Sequence, residues 1–216
     1  MAAIEGVVHA REIAPDGRVS RIDLAHCAKP AAGWRLIALG GDSLSARSWL
    51  MRDSGLTENA VGALLEEDTR PRCVEMEDGA LLILRGVDLR PDGGLGRMVS
   101  IRLFATSERL LVVQRRRMEA FEKRVAALDS GVDTESVGAF IGGLVATMRQ
   151  EVEPLLDRLE TAVDAFELHA LETESPRSHA QRQRLNASRR SAVLLRRCLA
   201  PQAGAVRRLS ALREPW

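Results

Sequence analysis

Short apolar blocks, alternating or continuous, fill the first half of this chain, and a three-to-four spacing of apolar positions takes over in the second. Residues 6–13 and 18–24 flank Ala14-Pro15-Asp16-Gly17, a turn signal, and predict a β-hairpin. Residues 34–39 form an apolar run ended by Gly40-Gly41, as a buried strand does. Asp42 or Ser43 then caps a predicted helix through Arg52, with Leu44, Ala46, Trp49 and Leu50 inward. Thr57-Glu58 starts a second helix, carrying Val61, Leu64 and Leu65. Residues 72–76 and 80–89 lie either side of Glu77-Asp78-Gly79, again a hairpin pattern. Residues 97–105 alternate, with Met98, Ser100, Arg102 and Phe104 on one face and Val99, Ile101 and Leu103 on the other. With residues 109–113 this makes about seven strands joined mostly by tight turns.

After Gln114-Arg115-Arg116-Arg117 the period is helical. Val137, Ile141, Leu144, Met148, Val152, Leu155, Leu159 and Phe166 mark one face of a long amphipathic helix. Pro154 falls inside it and predicts a kink or a restart, because proline removes a backbone donor and crowds the carbonyl four residues back. Glu174-Ser175-Pro176 reads as a turn, with Ser175 capping and Pro176 opening a last helix. Along that helix Leu185, Ala192, Leu195, Leu199, Val206 and Leu209 form one stripe, and Leu194 with Cys198 part of a second. The expected fold is therefore α+β in the manner of an α/β/α sandwich. A mixed, largely antiparallel sheet with flanking helices is followed by a long antiparallel helical hairpin. The expected division is an α/β domain over 1–132 and the hairpin over 133–216.

Charge sharpens this picture. A net charge of +1 over 216 residues hides a strong segregation. Between 151 and 174 eight acidic residues oppose only Arg158, and between 176 and 216 ten arginines oppose only Glu214. Such a pair of helices is expected to attract each other, within the chain or between copies. A whole surface tuned for nucleic acid is excluded, and the absence of tyrosine leaves little for base stacking. The three cysteines, Cys27, Cys73 and Cys198, are far apart and read as free thiols. The longest uncharged stretch, 136–148, is too short for a bilayer span of about 20 residues, so a soluble chain is expected.

Catalytic signals are missing. No dinucleotide fingerprint, Walker loop, nucleophile elbow or His-Glu-x-x-His is present, and Gly93-Gly94-Leu95-Gly96 reads as a turn between strands, so no enzyme and no cofactor are expected. The four histidines, His9, His26, His169 and His179, are isolated. His169 and Glu172 stand three apart on one helix face and offer the best candidate metal pair, short of a closed site. Asp157, Glu160 and Asp164 in the acidic run are candidates for concentrating cations.

One segment, Glu67-Asp68-Thr69-Arg70-Pro71-Arg72, closes the second helix and enters a strand. It resembles a signature of the ZntB zinc transporters, a branch of the CorA metal-transporter superfamily. Neighbouring motifs follow in that family's order: Gly79 with Leu84-Arg85-Gly86, then Met98-Val99-Ser100-Ile101-Arg102, then Arg109-Leu110-Leu111-Val112. Arg196-Arg197-Cys198-Leu199-Ala200-Pro201-Gln202 and the final Arg213-Glu214-Pro215-Trp216 are similar to its penultimate helix. The resemblance marks Thr69, Arg70, Pro71, Arg72, Arg85, Gly86, Arg102, Pro201 and Gln202. It implies the cytoplasmic part of an inner-membrane transporter of Zn²⁺ that forms a homopentamer, giving assembly and regulation rather than conduction. The family's stalk helix, membrane spans and Gly-x-Asn loop are not among these residues, so membrane contact is expected only through segments elsewhere. A magnesium or cobalt channel of the same superfamily is the nearer alternative. A stand-alone module that binds a helix or an acidic partner is the more distant one.

Overall fold

The structure, a computed structural model, describes residues 6–28, 31–67, 70–88, 98–172 and 179–212, with the side chains at 26, 28, 169–172 and 179–181 left out of the description. Seven strands form one sheet: β1 (Val7–Ile13), β2 (Val19–Arg21), β3 (Trp34–Gly40), β4 (Arg72–Met76), β5 (Gly79–Val87), β6 (Met98–Ala105) and β7 (Arg109–Gln114). Their order is β2-β1-β3-β7-β6-β5-β4. Every pairing is antiparallel except β3 with β7, which joins the two antiparallel halves in parallel. The mixed, largely antiparallel expectation holds.

Helices cover both faces. α1 (Leu44–Arg52) and α2 (Glu58–Leu65) lie on one; α3 (Glu119–Asp129), α4 (Val137–Glu172) and α5 (His179–Ala211) lie on the other. Alternate residues of each central strand feed the two layers. Leu36 and Ala38 of β3 join the core with α3, α4 and α5, while Ile37 and Leu39 join that with α1 and α2. A strand buried on both sides must be apolar throughout, which is why β3, β5 and β7 read as continuous runs. Ser43 and Thr57 cap α1 and α2 through their hydroxyls, accepting from the Ala46 and Ala60 amides. Gly79, at φ 155°, closes the β4–β5 turn where a Cβ would collide with the Ala105 carbonyl oxygen.

Several expectations change. Leu44 is 83% exposed, because at the first position of α1 it points past the core that Ala46, Trp49 and Leu50 enter. Of the kink or restart expected at Pro154, the restart is absent: α4 is one helix from Val137 to Glu172. Pro154 and the residue whose carbonyl it fails to satisfy, Gln150, both lie on the exposed side, so that carbonyl is open to solvent. On α5 the buried stripe is Ser191, Leu195, Cys198, Ala205 and Leu209, so Cys198 belongs with Leu195, whereas Ala192 and Leu194 are exposed. The turn at 174–176, the loop at 93–96 and the terminal 213–216 lie outside the described residues.

Two stages of packing run along α4. Its first turns are core: Val137, Phe140, Ile141, Leu144 and Met148 pack on the sheet, with Phe140 edge-on to Phe121 of α3 and tilted against Trp34 of β3. Further along, Val152 and Leu155 form a second cluster with Leu195 of α5 and Val87 of β5, with Met98, Leu159 and Leu199 half-buried beside them. At about 1.5 Å per residue, the 36 residues of α4 and 33 of α5 reach about 50 Å, so much of the hairpin stands clear of the sheet.

Candidate functional site

Two loci gather the singled-out residues: the arginine-rich end of the sheet and the outer hairpin. At the first, α2 ends at Leu65 with its last carbonyls lacking helical partners. Arg102, in central strand β6, stands opposite Ile83 and Val113 and so points to the α2 side. It is 1% exposed, and its Nη2 donates to the Glu66 and Glu67 carbonyls at 2.7 and 3.2 Å. Arg115 adds a bond to the Leu65 carbonyl at 3.2 Å and an ion pair with Glu67 at 3.0 Å. Arg72 pairs with Glu66 at 2.5 Å.

Positive charge here faces the negative end of a helix. Burial pulls the Arg102 guanidinium below its usual range, and Arg115, Arg85 and Arg72 push the same way against Glu66. Its Nε and Nη1 are buried without a hydrogen-bond partner. Pro71 is buried and, having no N–H, stops the β4 ladder where Arg72 meets Ile83. Arg70 is exposed, and Thr69 lies outside the described residues.

Where β4 has not begun, β5 has amide edges to satisfy. The Arg85 amide donates to Gln202 Oε1 of α5 at 2.8 Å, which pins the helix to the sheet. Gly86 lets Met118 lie against the strand, since a Cβ there would stand 3.1 Å from Met118 Cε. Pro201 sits within α5 on its exposed side. The motif therefore does structural chemistry: it closes α2, starts β4 and docks α5. Arg115 was the contributor least visible in sequence, since it reads only as part of a basic run.

The second locus is acidic. Glu153, Asp157, Glu160, Asp164 and Glu167 recur every three or four residues and are all exposed on α4. Five carboxylates thus share one side of the helix. They are too far apart along the axis for one ion, and among the described residues no group of three His, Cys, Asp or Glu side chains is placed to hold a metal. His169 and Glu172 lie on the last turn of α4, their side chains outside the described set.

Within the chain, as distinct from between copies, the expected attraction of α4 for α5 does not take the form of ion pairs. Among the described residues none joins the two helices; Glu151 pairs instead with Lys123 of α3 at 3.0 Å, and Glu153 with Arg149. Apolar contact holds the hairpin, and both charged stripes face outward. Other carboxylates are consumed within the body. Arg11 binds Asp129 through two bonds of 2.7 and 2.9 Å, and this holds the Asp129 carboxyl below its usual range. His9 lies 3.1 Å from Glu122.

Comparison with known proteins places this geometry. The family model described as CorA-like Mg²⁺ transporter protein matches residues 32–216. The divalent cation transporter CmaX of Pseudomonas aeruginosa is 33% identical over 174 residues, 79% of this chain and 51% of the relative. The zinc transport protein ZntB of Pectobacterium carotovorum subsp. carotovorum is 25% identical over 214 residues, 98% of this chain and 63% of the relative. Among solved structures, the ZntB cytoplasmic domain from Vibrio parahaemolyticus RIMD 2210633 has a TM-score of 0.78 over 94% of this chain and 79% of its own. Its 18% identity makes it a likeness of fold. The chain spans about half to two thirds of the length of the curated relatives it matches.

Proposed function

Because the chain belongs to the CorA-like Mg²⁺ transporter family, we propose that it is the cytoplasmic part of a divalent-cation transporter of the inner membrane, serving assembly and regulation. The observation that carries this is the family match from residue 32 to 216, laid over a body whose motif arginines close α2 and whose Gln202 docks α5. No helix of the described residues is long and apolar enough to cross a membrane, and the relatives are longer. Conduction is assigned to segments beyond these residues. The similar proteins are named as transporters, which supports a role without catalysis.

Zn²⁺ is the proposed cargo, supported by relatives named for zinc transport along nearly the whole chain. Magnesium or cobalt is the competing cargo, since the family model is described for Mg²⁺ and a more similar relative is named only for divalent cations. Flux of Zn²⁺, Mg²⁺ and Co²⁺ into vesicles carrying the intact transporter decides. Robust magnesium flux with no zinc flux sinks the zinc assignment.

The proposed assembly is a homopentamer, checked by the mass of the intact particle in detergent. Asp157, Glu160 and Asp164, with His169 and Glu172 at the tip, are proposed to raise the local cation concentration without fixed coordination. Reversing the three aspartate and glutamate positions to lysine in the intact transporter lowers flux at low ionic strength. Unchanged flux removes that role.

A further inference from the structure

The outer hairpin has two long grooves between α4 and α5, and their rims carry different charges. One is floored by Leu159 and Leu195, with Leu156, Val163, Ala192 and Leu199 exposed or half-buried along it. Glu160 and Asp164 stand on its α4 rim and Arg196 on its α5 rim. The opposite groove has Arg158 on one rim and Arg190 on the other. A surface with one acidic and one basic rim is complementary to itself; a surface with two basic rims repels its own copy.

The charges extend along the hairpin in register. Glu153, Glu160 and Glu167 recur every seven residues, as do Arg182, Arg189 and Arg196. Apolar positions along the groove keep the same step: Leu156 and Val163, exposed on α4, and exposed Ala192 with half-buried Leu199 on α5. A seven-residue repeat of apolar positions flanked by charge is what helices use to pack side by side. No ion pair among the described residues joins α4 to α5; Glu153 pairs along its own helix with Arg149, and Glu160, Asp164 and Arg196 stand on the groove rims.

We propose that this groove seats the same groove of a second copy of the chain, with α4 of each lying over α5 of the other. Only one of two symmetric arrangements works. A two-fold axis across the hairpin stacks α4 on α4, carboxylates on carboxylates. A two-fold axis along the helices brings Glu160 and Asp164 opposite the second copy's arginines and covers the apolar strip of both. The contact is reciprocal, so it pairs chains two by two and is separate from the ring contact of the pentamer proposed above. It depends on the hairpin's charge pattern, not on which cation is carried.

Light scattering on the 216-residue chain tests it. The mass is twice 23.7 kDa at high concentration and low salt, and falls towards one copy on dilution or on adding salt. Glu160→Arg with Asp164→Arg weakens pairing roughly a hundredfold, as does Arg189→Glu with Arg196→Glu. The neutral pair Glu160→Gln with Asp164→Asn weakens it less and guards against misfolding, with circular dichroism reporting retained helix. Mixing the two reversed variants restores a two-copy particle, since each then offers the charge the other lacks. A chain that stays at one copy throughout overturns the proposal. So does a five-copy particle indifferent to the reversals, or a failure of the reversed variants to combine. Failure here leaves the transport reading standing, which the vesicle assay decides.

Discussion

Arg102 on β6 and Arg196 on α5 carry the same guanidinium into opposite circumstances. Arg102 is 1% exposed and held against two backbone carbonyls, whereas Arg196 stands open on a groove rim. The same contrast separates Asp129, bound twice by Arg11, from Asp157 on the outer hairpin. Within the body, charge finishes what the backbone leaves incomplete: a helix end, a strand edge, a contact between layers. On the hairpin it is left facing outward. A buried charge is costly unless it is paired or hydrogen bonded, so the body's buried charges are fixed by the fold, while Glu160, Asp164 and Arg196 stand on exposed rims open to encounters.

The largest way to break this comparison is Arg102→Ala. It frees the Glu66 and Glu67 carbonyls and opens a cavity, and is expected to cost about 3 kcal/mol in urea unfolding. Arg196→Ala is expected to change stability by less than about 0.5 kcal/mol. Equal costs would end the distinction between body and hairpin. Gln202→Ala comes next, at about 1–2 kcal/mol, because it strips the Arg85 amide of its acceptor. Faster hydrogen exchange at that amide identifies the cause.

A smaller effect is pH-dependent. The folded Asp129 carboxyl lies below its unfolded value of about 3.9, so its pair with Arg11 contributes in full above about pH 5. That contribution fades as pH falls through the unfolded value towards the lower folded one. Melting temperature against pH shows a steeper acid limb in the wild type than in Asp129→Asn, which loses about 1 kcal/mol near neutrality. The smallest effect is Asp157→Lys, expected within about 0.5 kcal/mol of the wild type under conditions where the chain is a single copy. A larger loss would show that the acidic stripe supports the fold after all.

The local elements were legible because each carries its own chemistry. Ser43 and Thr57 cap their helices from their own side chains, and Gly79 meets a steric demand of its own turn. The motif was legible as a string, but its work was not. Thr-Arg-Pro-Arg gives no hint that Arg102, some thirty residues on, would reach back to the carbonyls at 66 and 67. Nor does the basic run at 115–117 show that Arg115 alone of the three would close α2. The opposed charges of the last two helices were legible too, but not whether they would meet within one chain or between copies, and among the described residues no ion pair joins the two helices within the chain. Apolar contact positions α4 and α5, and their charged faces turn away from it.

By itself the sequence determined which stretches are strands or helices, where most begin, and which families they resemble, because periodicity, caps and turns act over a few residues. Only the tertiary structure decided that β3 pairs in parallel with β7, that Cys198 faces inward and Leu194 outward, and that α4 outruns the sheet. Those outcomes depend on surfaces brought together from distant parts of the chain. A residue's own neighbours in sequence do not say which of its faces another element will claim.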